Sequence, residues 1–86
     1  MNARELLELR VLEDANRTRG RPGKVTYKTA DERLLVETAE RLYIAGMINI
    51  DLAKEGDGHR SATLIAIHDT GDARLRELEE KRAAEQ

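Results

Sequence analysis

Residues 45–52 have the sequence Ala-Gly-Met-Ile-Asn-Ile-Asp-Leu, and this stretch decides the fold. Ile48, Ile50 and Leu52 alternate with polar residues, which predicts a strand with one buried face. Gly46 precedes the strand and is placed to end a helix in the left-handed conformation. The stretch therefore predicts a helix that turns sharply into a strand.

The predicted strand continues into a hairpin. Residues 55–58, Glu-Gly-Asp-Gly, form a turn cluster, and residues 61–68, Ser-Ala-Thr-Leu-Ile-Ala-Ile-His, form a second strand. Two strands around a glycine-rich turn predict a β-hairpin over residues 47–68. The second strand contains fewer charged residues than the first, so we expect it to be the more buried.

A helix is predicted on the N-terminal side of the hairpin. Apolar residues recur at three- and four-residue steps over residues 30–45, which is the helical period. Thr29 is expected to be the N-cap of this helix, with Glu32 at the capping-box position. The same spacing predicts another helix over residues 3–16.

The last predicted helix covers residues 70–82, after the hairpin. We expect Asp69 or Thr70 to cap it, because both residue types accept hydrogen bonds from free backbone N–H groups. Residues 80–86 are almost all charged or Ala, and we expect them to fray.

Size and composition bound the class of protein. The chain has 86 residues and a mass of 9.7 kDa, which corresponds to one α+β domain spanning residues 1–86. It contains no cysteine, so disulfides and thiolate metal sites are excluded. Because no stretch resembles a secretory signal or a membrane span, we expect an intracellular, cytoplasmic protein with no membrane contact.

The segments on either side of the hairpin carry a family resemblance. Residues 45–48 are Ala-Gly-Met-Ile, and residues 67–71 are Ile-His-Asp-Thr-Gly. This pattern resembles the winged-helix repressors, especially the MarR-like group, in which Gly-Leu-Ile ends the recognition helix and Leu-Thr-x-x-Gly closes the second wing strand. Residues 57–60, Asp-Gly-His-Arg, stand where that group has Asp-Arg-Arg. The resemblance covers about residues 29–80 and implies a winged-helix-like fold: helix, basic loop, helix, β-hairpin (the wing), helix.

Two departures from the family pattern bear on how DNA would be bound. His68 stands where the family has a helix-capping Thr. Residues 17–28 occupy the place of the helix that precedes a recognition helix, so that helix is either lost or reduced to a single irregular turn. In this respect the chain resembles pared-down winged-helix proteins of phage and prophage type.

Positive charge is concentrated in residues 17–28, here called the basic segment. It contains five basic residues and no acidic one, whereas every other part of the chain is net negative and the total is −2. Residues 19–22, Arg-Gly-Arg-Pro, reproduce the core of an AT-hook, whose extended backbone lies in the narrow minor groove of A·T-rich DNA. A solvated basic loop and a contact with an acidic protein are the alternatives.

The candidate DNA-contacting residues come from three places. The basic segment and the first turn of the following helix contribute seven of them: Arg17, Arg19, Gly20, Arg21, Lys24, Lys28 and Arg33. The tip of the wing contributes three more: Lys54, His59 and Arg60. A solvated turn is the alternative at the wing. Carboxylates argue against deep insertion of the helix into the major groove, because they would approach phosphates: Asp31, Glu32, Glu37 and Glu40.

Catalytic and metal-binding patterns are missing from the sequence. Ser61 is the single serine, and an odd separation places His59 and His68 on opposite faces of a regular strand. There is no phosphate-binding loop and no dinucleotide fingerprint. The sequence therefore predicts a protein that is not an enzyme and takes no cofactor or metal.

Together these features predict a small DNA-binding protein, acting as a transcriptional regulator or a phage accessory factor. Double-stranded DNA is the expected partner, contacted through the basic segment and the wing. We expect a homodimer formed through the terminal helices, because two copies double the contacts on a two-fold site. The alternative is a protein-binding module, such as a phage-type inhibitor or adaptor of a host protein, that uses the acidic face of helix 30–45.

Overall fold

A computed structural model describes residues 1–19 and 25–85. In chain order its elements are α1 (Ala3–Arg17), β1 (Val25–Lys28), α2 (Thr29–Ile44), β2 (Ile48–Lys54), β3 (Arg60–Ile67) and α3 (Asp69–Ala84). The three strands form one antiparallel sheet in the order β1-β3-β2. The predicted α+β class, the three helices and the hairpin are confirmed, and α3 is helical as far as Ala84, past residue 80, where fraying is predicted to begin.

The connection from α2 to the sheet follows the sequence prediction. Gly46 has φ +78°, which is the left-handed conformation predicted for the residue that ends this helix. Ile48 and Ile50 are buried as predicted, whereas Leu52, the third residue of the predicted buried face, is 45% exposed. The strand β3 is more buried than β2. The hairpin turn is closed by a hydrogen bond from the Glu55 N–H to the His59 carbonyl oxygen at 2.7 Å.

The strand β1 lies within the basic segment, which the sequence predicts to be a loop. It pairs with β3, so that Val25 lies opposite Leu64 and Lys28 lies opposite Ser61. A strand of four residues is stable here because it extends a sheet that the hairpin has already begun. The short stretch at residues 25–27 shows strand character in the sequence, but its pairing partner is almost forty residues away.

The predicted capping of α2 is wrong. Lys28 occupies the N-cap position and makes no side-chain capping bond. The Thr29 hydroxyl instead accepts a hydrogen bond from the Arg60 N–H at 2.8 Å and lies 3.1 Å from the Arg60 carbonyl oxygen. Glu32 is not a capping residue either, because its backbone (φ −140°, ψ 54°) forms a kink after the first turn of α2. Contacts with the hairpin therefore replace the local capping box.

The predicted capping of α3 is also wrong. The N-cap is His68, and its side chain makes no capping bond. The Thr70 hydroxyl donates to the Gly46 carbonyl oxygen at 2.8 Å. This bond joins the start of α3 to the turn after α2 and takes precedence over a bond within the helix.

The core lies between the sheet and the helices. It is formed by apolar side chains from every element, including Leu12, Tyr27, Val36, Leu64 and Leu78. The helices α1 and α2 both pack against β3, and α3 packs against α1. Within the described residues, every helix is too short or too polar to cross a membrane.

One polar contact is buried inside this core. The Tyr27 hydroxyl of β1 donates a 2.5 Å hydrogen bond to the Asp14 carboxylate of α1, which also binds Arg10 and Arg17 at 3.0 and 3.2 Å. Burial first, and then the bond to Asp14, raises the pKa of Tyr27 well above its ordinary value. The contact anchors β1 to α1.

We expect Tyr27→Phe to lower the free energy of unfolding by about 1–2 kcal/mol, because the buried Asp14 carboxylate loses a donor. Because the pKa of Tyr27 is raised in the folded state, its stabilising contribution is present below about pH 10 and is lost as the pH rises further. Urea denaturation at neutral and alkaline pH measures both effects. The matched control is Tyr43→Phe at an exposed position, and an equal loss in both variants would contradict the prediction.

Candidate nucleic-acid interface

The structure divides the basic segment into two parts. Arg17 and Arg19 follow α1, where Arg17 lies 3.2 Å from Asp14 and Arg19 binds Asp72 of α3. Lys28 lies at the other end of β1, beside the hairpin. The three cations of the basic segment that the structure describes therefore lie at two places, one next to α3 and one beside the hairpin.

The two arginines of the first part are each paired with a carboxylate. The hydrogen bond to Asp72 raises the pKa of Arg19, and Arg19 also donates to the Asn16 side chain at 2.7 Å. The AT-hook-like prediction rests mainly on Gly20, Arg21 and Pro22, which lie outside the described residues, as does Lys24. That part of the prediction stays a prediction.

An ion pair joins the hairpin to α2. The Arg60 guanidinium donates to both oxygens of Glu40, at 2.9 and 3.2 Å. This hydrogen bond and the charge of Glu40 raise the pKa of Arg60. Arg60, a candidate DNA contact, therefore has its charge balanced within the protein and holds the hairpin against α2.

Thr29 makes a second connection between the hairpin and α2. Its hydroxyl binds the backbone of Arg60, and the Nδ1 atom of His59 lies 3.3 Å away. The backbone N–H of His59 donates to Asp57 within the turn at 3.1 Å. His59 is thus half-buried at the joint, where its main contacts are inside the protein.

The ion pair defines one side of α2 as the side next to the hairpin. Glu40 contacts Arg60 there, and Arg33, seven residues earlier, lies on the same side of the helix because seven residues make two turns. We call the side of α2 that carries Arg33 and Glu40 the wing flank. Arg41 lies on the neighbouring side, 3.6 Å from Glu8 of α1, and we call the side that carries Leu34 and Arg41 the α1 flank.

Three of the candidate cations are exposed and unbalanced. Lys28, Arg33 and Lys54 have no carboxylate within 4 Å among residues 1–19 and 25–85. Lys54 lies opposite Arg60 in the hairpin, and Arg33 lies on the wing flank. The structure thus brings these three cations to the region where the hairpin meets the N-terminal half of α2.

Acidic groups lie in the same region. A shallow depression of about 390 Å³ separates the start of α2 from the hairpin turn and is lined by Lys28, Ala30, Glu55, Gly56, Asp57 and His59. Both signs of charge meet in it, so the described residues of this region offer a few separate cationic contacts and no continuous basic groove.

Sequence reasoning missed the residues that position the hairpin. Glu40 is predicted only as an acidic residue unfavourable for DNA, and Thr29 as a cap in a first turn that approaches DNA, yet both hold Arg60. No local pattern indicates these pairings, because the partners are 20 and 31 residues apart. In the part of the chain that the structure describes, no group of three or more metal-ligating side chains is present.

Comparisons of this chain with protein-family models, with curated proteins and with solved structures found no match.

Proposed function

We propose that the chain is a small winged-helix-like DNA-binding protein that acts as a transcriptional regulator or a phage accessory factor. The observation that carries the proposal is the placement of Lys28, Arg33 and Lys54, three unbalanced cations, where the hairpin meets α2. The hairpin follows α2 directly after the turn at Gly46, and the sequence resemblance implies such an order of helix, glycine turn and hairpin. In this proposal the hairpin is the wing.

Affinity in this proposal comes mainly from phosphate contacts. Lysine and arginine side chains that neutralise phosphates release counterions, so binding weakens as salt rises. Exposed Asp31 and Glu37 on α2 oppose deep insertion of the helix into the major groove. The wing flank therefore meets the DNA backbone, and the Arg-Gly-Arg-Pro sequence supplies any preference for A·T-rich DNA through the minor groove.

The test is fluorescence anisotropy with A·T-rich and G·C-rich duplexes of equal length at several salt concentrations. We expect Arg33→Ala and Lys54→Ala each to lower affinity roughly three- to tenfold, and to reduce the slope of log K against log salt by about 1. The matched control is Arg76→Ala, which removes an exposed arginine from α3, away from the wing flank. An equal effect of the control would contradict the proposed surface.

A second arm of the same experiment tests the basic segment. We expect Arg19→Ala/Arg21→Ala to remove the preference for the A·T-rich duplex and to leave residual salt-dependent binding by the wing flank. Absence of binding to either duplex at low salt would contradict DNA binding altogether.

The second candidate function is a module that binds another protein. The exposed carboxylates Asp31 and Glu37 favour it, because neither has a cationic partner within 4 Å among residues 1–19 and 25–85. An acidic helix face can compete for a basic, nucleic-acid-binding surface on a partner. This function predicts no DNA binding at low salt and a stoichiometric complex with one protein in a pull-down.

A further inference from the structure

One face of α2 points away from the core and carries the two most exposed large apolar side chains of the described residues. Ile44 is 84% exposed and Leu34 is 61% exposed. The buried apolar residues of this helix, among them Leu35, Ala39 and Leu42, lie on the opposite side. Large apolar side chains that share one exposed helix face contribute little to the core, and they mark an interaction site.

Four residues form one continuous stripe on this face, which we call the outer stripe: Leu34, Glu37, Arg41 and Ile44. They follow one another at steps of three, four and three residues, which is the spacing at which one helix meets a second helix. After the kink at Glu32 the backbone is helical as far as Ile44, so the stripe is about 15 Å long. Leu34 and Arg41 belong to the α1 flank, and the other two residues lie between the α1 flank and the wing flank.

The two charged residues of the outer stripe are only partly compensated within the chain. Glu37 is exposed and has no cation within 4 Å among the described residues. After the hydrogen bond and the charge of Glu40, its charge is a further cause of the raised pKa of Arg60. Arg41 lies 3.6 Å from Glu8, and its buried Nη2 atom makes no hydrogen bond within the described residues. Each of the two charged groups is therefore available to an additional partner of opposite charge.

The order of residues in the outer stripe is self-complementary, as a two-fold interface must be. Leu34 and Ile44 are each five residues from Ala39, and Glu37 and Arg41 are each two residues from it. In an antiparallel pair of helices with the two-fold axis at the level of Ala39, Leu34 lies opposite Ile44, and Glu37 lies opposite Arg41. A parallel pair would instead place each charged residue opposite its own copy, where like charges repel.

The terminal helices, through which the sequence predicts a dimer, offer less apolar surface. The large apolar residues of α3, Leu75 and Leu78, are buried in the core of the chain itself. On α1, Leu6 is the one large apolar side chain that is exposed among the described residues. The outer stripe of α2 therefore provides the larger apolar contact for a second copy.

We propose that two copies of this chain form a two-fold dimer in which their α2 helices pack antiparallel along the outer stripe. Leu34 packs against Ile44 of the other copy at both ends of the interface, and Glu37 pairs with Arg41 of the other copy in its centre. The two-fold axis is perpendicular to the plane that contains both helices, so the wing flanks of the two copies lie on the same side of the dimer. The inference goes beyond the proposed DNA binding and does not depend on it.

Sedimentation velocity over about 5 to 500 µM measures the oligomeric state in the range expected for a small interface. We expect a species of twice the 9.7 kDa monomer mass. We also expect the dissociation constant to rise more than about tenfold for Ile44→Asp, since the two-fold axis makes each substitution act twice. The matched control is Leu52→Asp, at an exposed position on β2, which should leave the dissociation constant unchanged. A monomer at every concentration, or a dimer equally weakened by both variants, would overturn the proposal.

Charge reversal tests the register of the two helices. Glu37→Lys places like charges opposite each other at two points of the interface, so we expect the dissociation constant to rise about tenfold or more. The matched control is Asp31→Lys, which changes the net charge equally at an exposed position of α2 outside the outer stripe. Equal weakening by the two variants would contradict the pairing of Glu37 with Arg41.

Cross-linking tests the antiparallel orientation, because the chain has no cysteine of its own and a disulfide needs Cα atoms within about 7 Å. We expect oxidation of a mixture of the Leu34→Cys and Ile44→Cys variants to give the mixed disulfide dimer. Either variant alone should cross-link little, because the two copies of one residue lie at least about 15 Å apart. Cross-linking of Leu34→Cys with itself as efficiently as in the mixture would indicate another arrangement and overturn the proposal.

Discussion

Gly71→Ala is expected to lower the free energy of unfolding by about 3 kcal/mol, at the upper end of what overpacking a core site does. Gly71 is buried in the first turn of α3. A Cβ atom there would overlap the carbonyl oxygen of Met47 and lie 2.8 Å from Cγ1 of Ile67. The first of these is a backbone atom, so a change of side-chain rotamer cannot relieve the overlap.

The carbonyl group of Met47 has a structural role. The Met47 carbonyl oxygen accepts a 2.9 Å hydrogen bond from the His68 N–H, and this bond joins the start of β2 to the start of α3. Making room for a methyl group requires α3 to move away from the sheet, which breaks or lengthens that bond. Glycine at position 71 thus allows a close approach of a helix to a strand, although its own backbone has ordinary helical φ.

Urea denaturation followed by circular dichroism measures the loss. The matched control is Gly56→Ala in the hairpin turn, where an added Cβ meets no atom within 4 Å. We expect the control to change stability by less than about 1 kcal/mol. Equal losses of unfolding free energy in the two variants would contradict the claim that the Met47 carbonyl leaves no room for a side chain at position 71.

The second large effect is expected for Glu8→Ala, at about 3 kcal/mol, because the substitution leaves partly buried cations without their counter-charge. Glu8 belongs to α1 and is buried. Its Oε2 atom accepts two hydrogen bonds from Arg74 of α3, at 3.0 and 3.1 Å. Its Oε1 atom lies 3.6 Å from Nη2 of Arg41 of α2. One carboxylate therefore joins all three helices.

The surroundings of the two arginines support the direction of this effect. Burial lowers the pKa of Arg74, but the hydrogen bond to Glu8 and its charge outweigh burial, and the net pKa is raised. The buried Nη2 atom of Arg41 has no hydrogen-bond partner within the described residues, so the nearby charge of Glu8 is its main compensation. Without Glu8, Arg41 would lose this counter-charge, and Arg74 would keep only its ion pair with the exposed Glu77.

The matched control for Glu8→Ala is Glu77→Ala. Glu77 binds the same Arg74 at 2.7 Å but its side chain is 68% exposed, and exposed ion pairs stabilise by less than about 1 kcal/mol. Urea denaturation of both variants at low and high salt measures the unfolding free energy that each ion pair contributes, the buried pair of Glu8 and the exposed pair of Glu77. A loss for Glu77→Ala as large as that for Glu8→Ala would contradict the role assigned to burial.

The local patterns of the sequence predict most of the secondary structure. The period of Leu and Ala residues predicts α1 and α2, and the alternation at residues 48–52 predicts β2. Gly46 predicts the left-handed turn between them, since few other residues adopt positive φ without strain. These predictions succeed because each depends on residues close together in the chain.

The same patterns fail where a residue has a distant partner. Thr29 has the chemistry of a cap, but its hydroxyl binds Arg60, 31 residues away. The strand β1 is too short to be predicted with confidence from propensity, and its pairing with β3 makes it a strand. In both cases a tertiary contact competes with a local one and replaces it.

In the candidate interface, too, local sequence determines one part of the charge distribution and tertiary contacts determine the other. The sequence determined that five basic residues lie within residues 17–28 and that the rest of the chain is net negative. Only the tertiary structure decided which cations stay unbalanced, because ion pairs form between side chains that folding brings within 4 Å. Arg19 meets Asp72 and Arg60 meets Glu40, whereas Lys28, Arg33 and Lys54 are left exposed beside the hairpin. Local spacing sets the helices and strands, and the meeting of distant side chains sets the surface that a partner encounters.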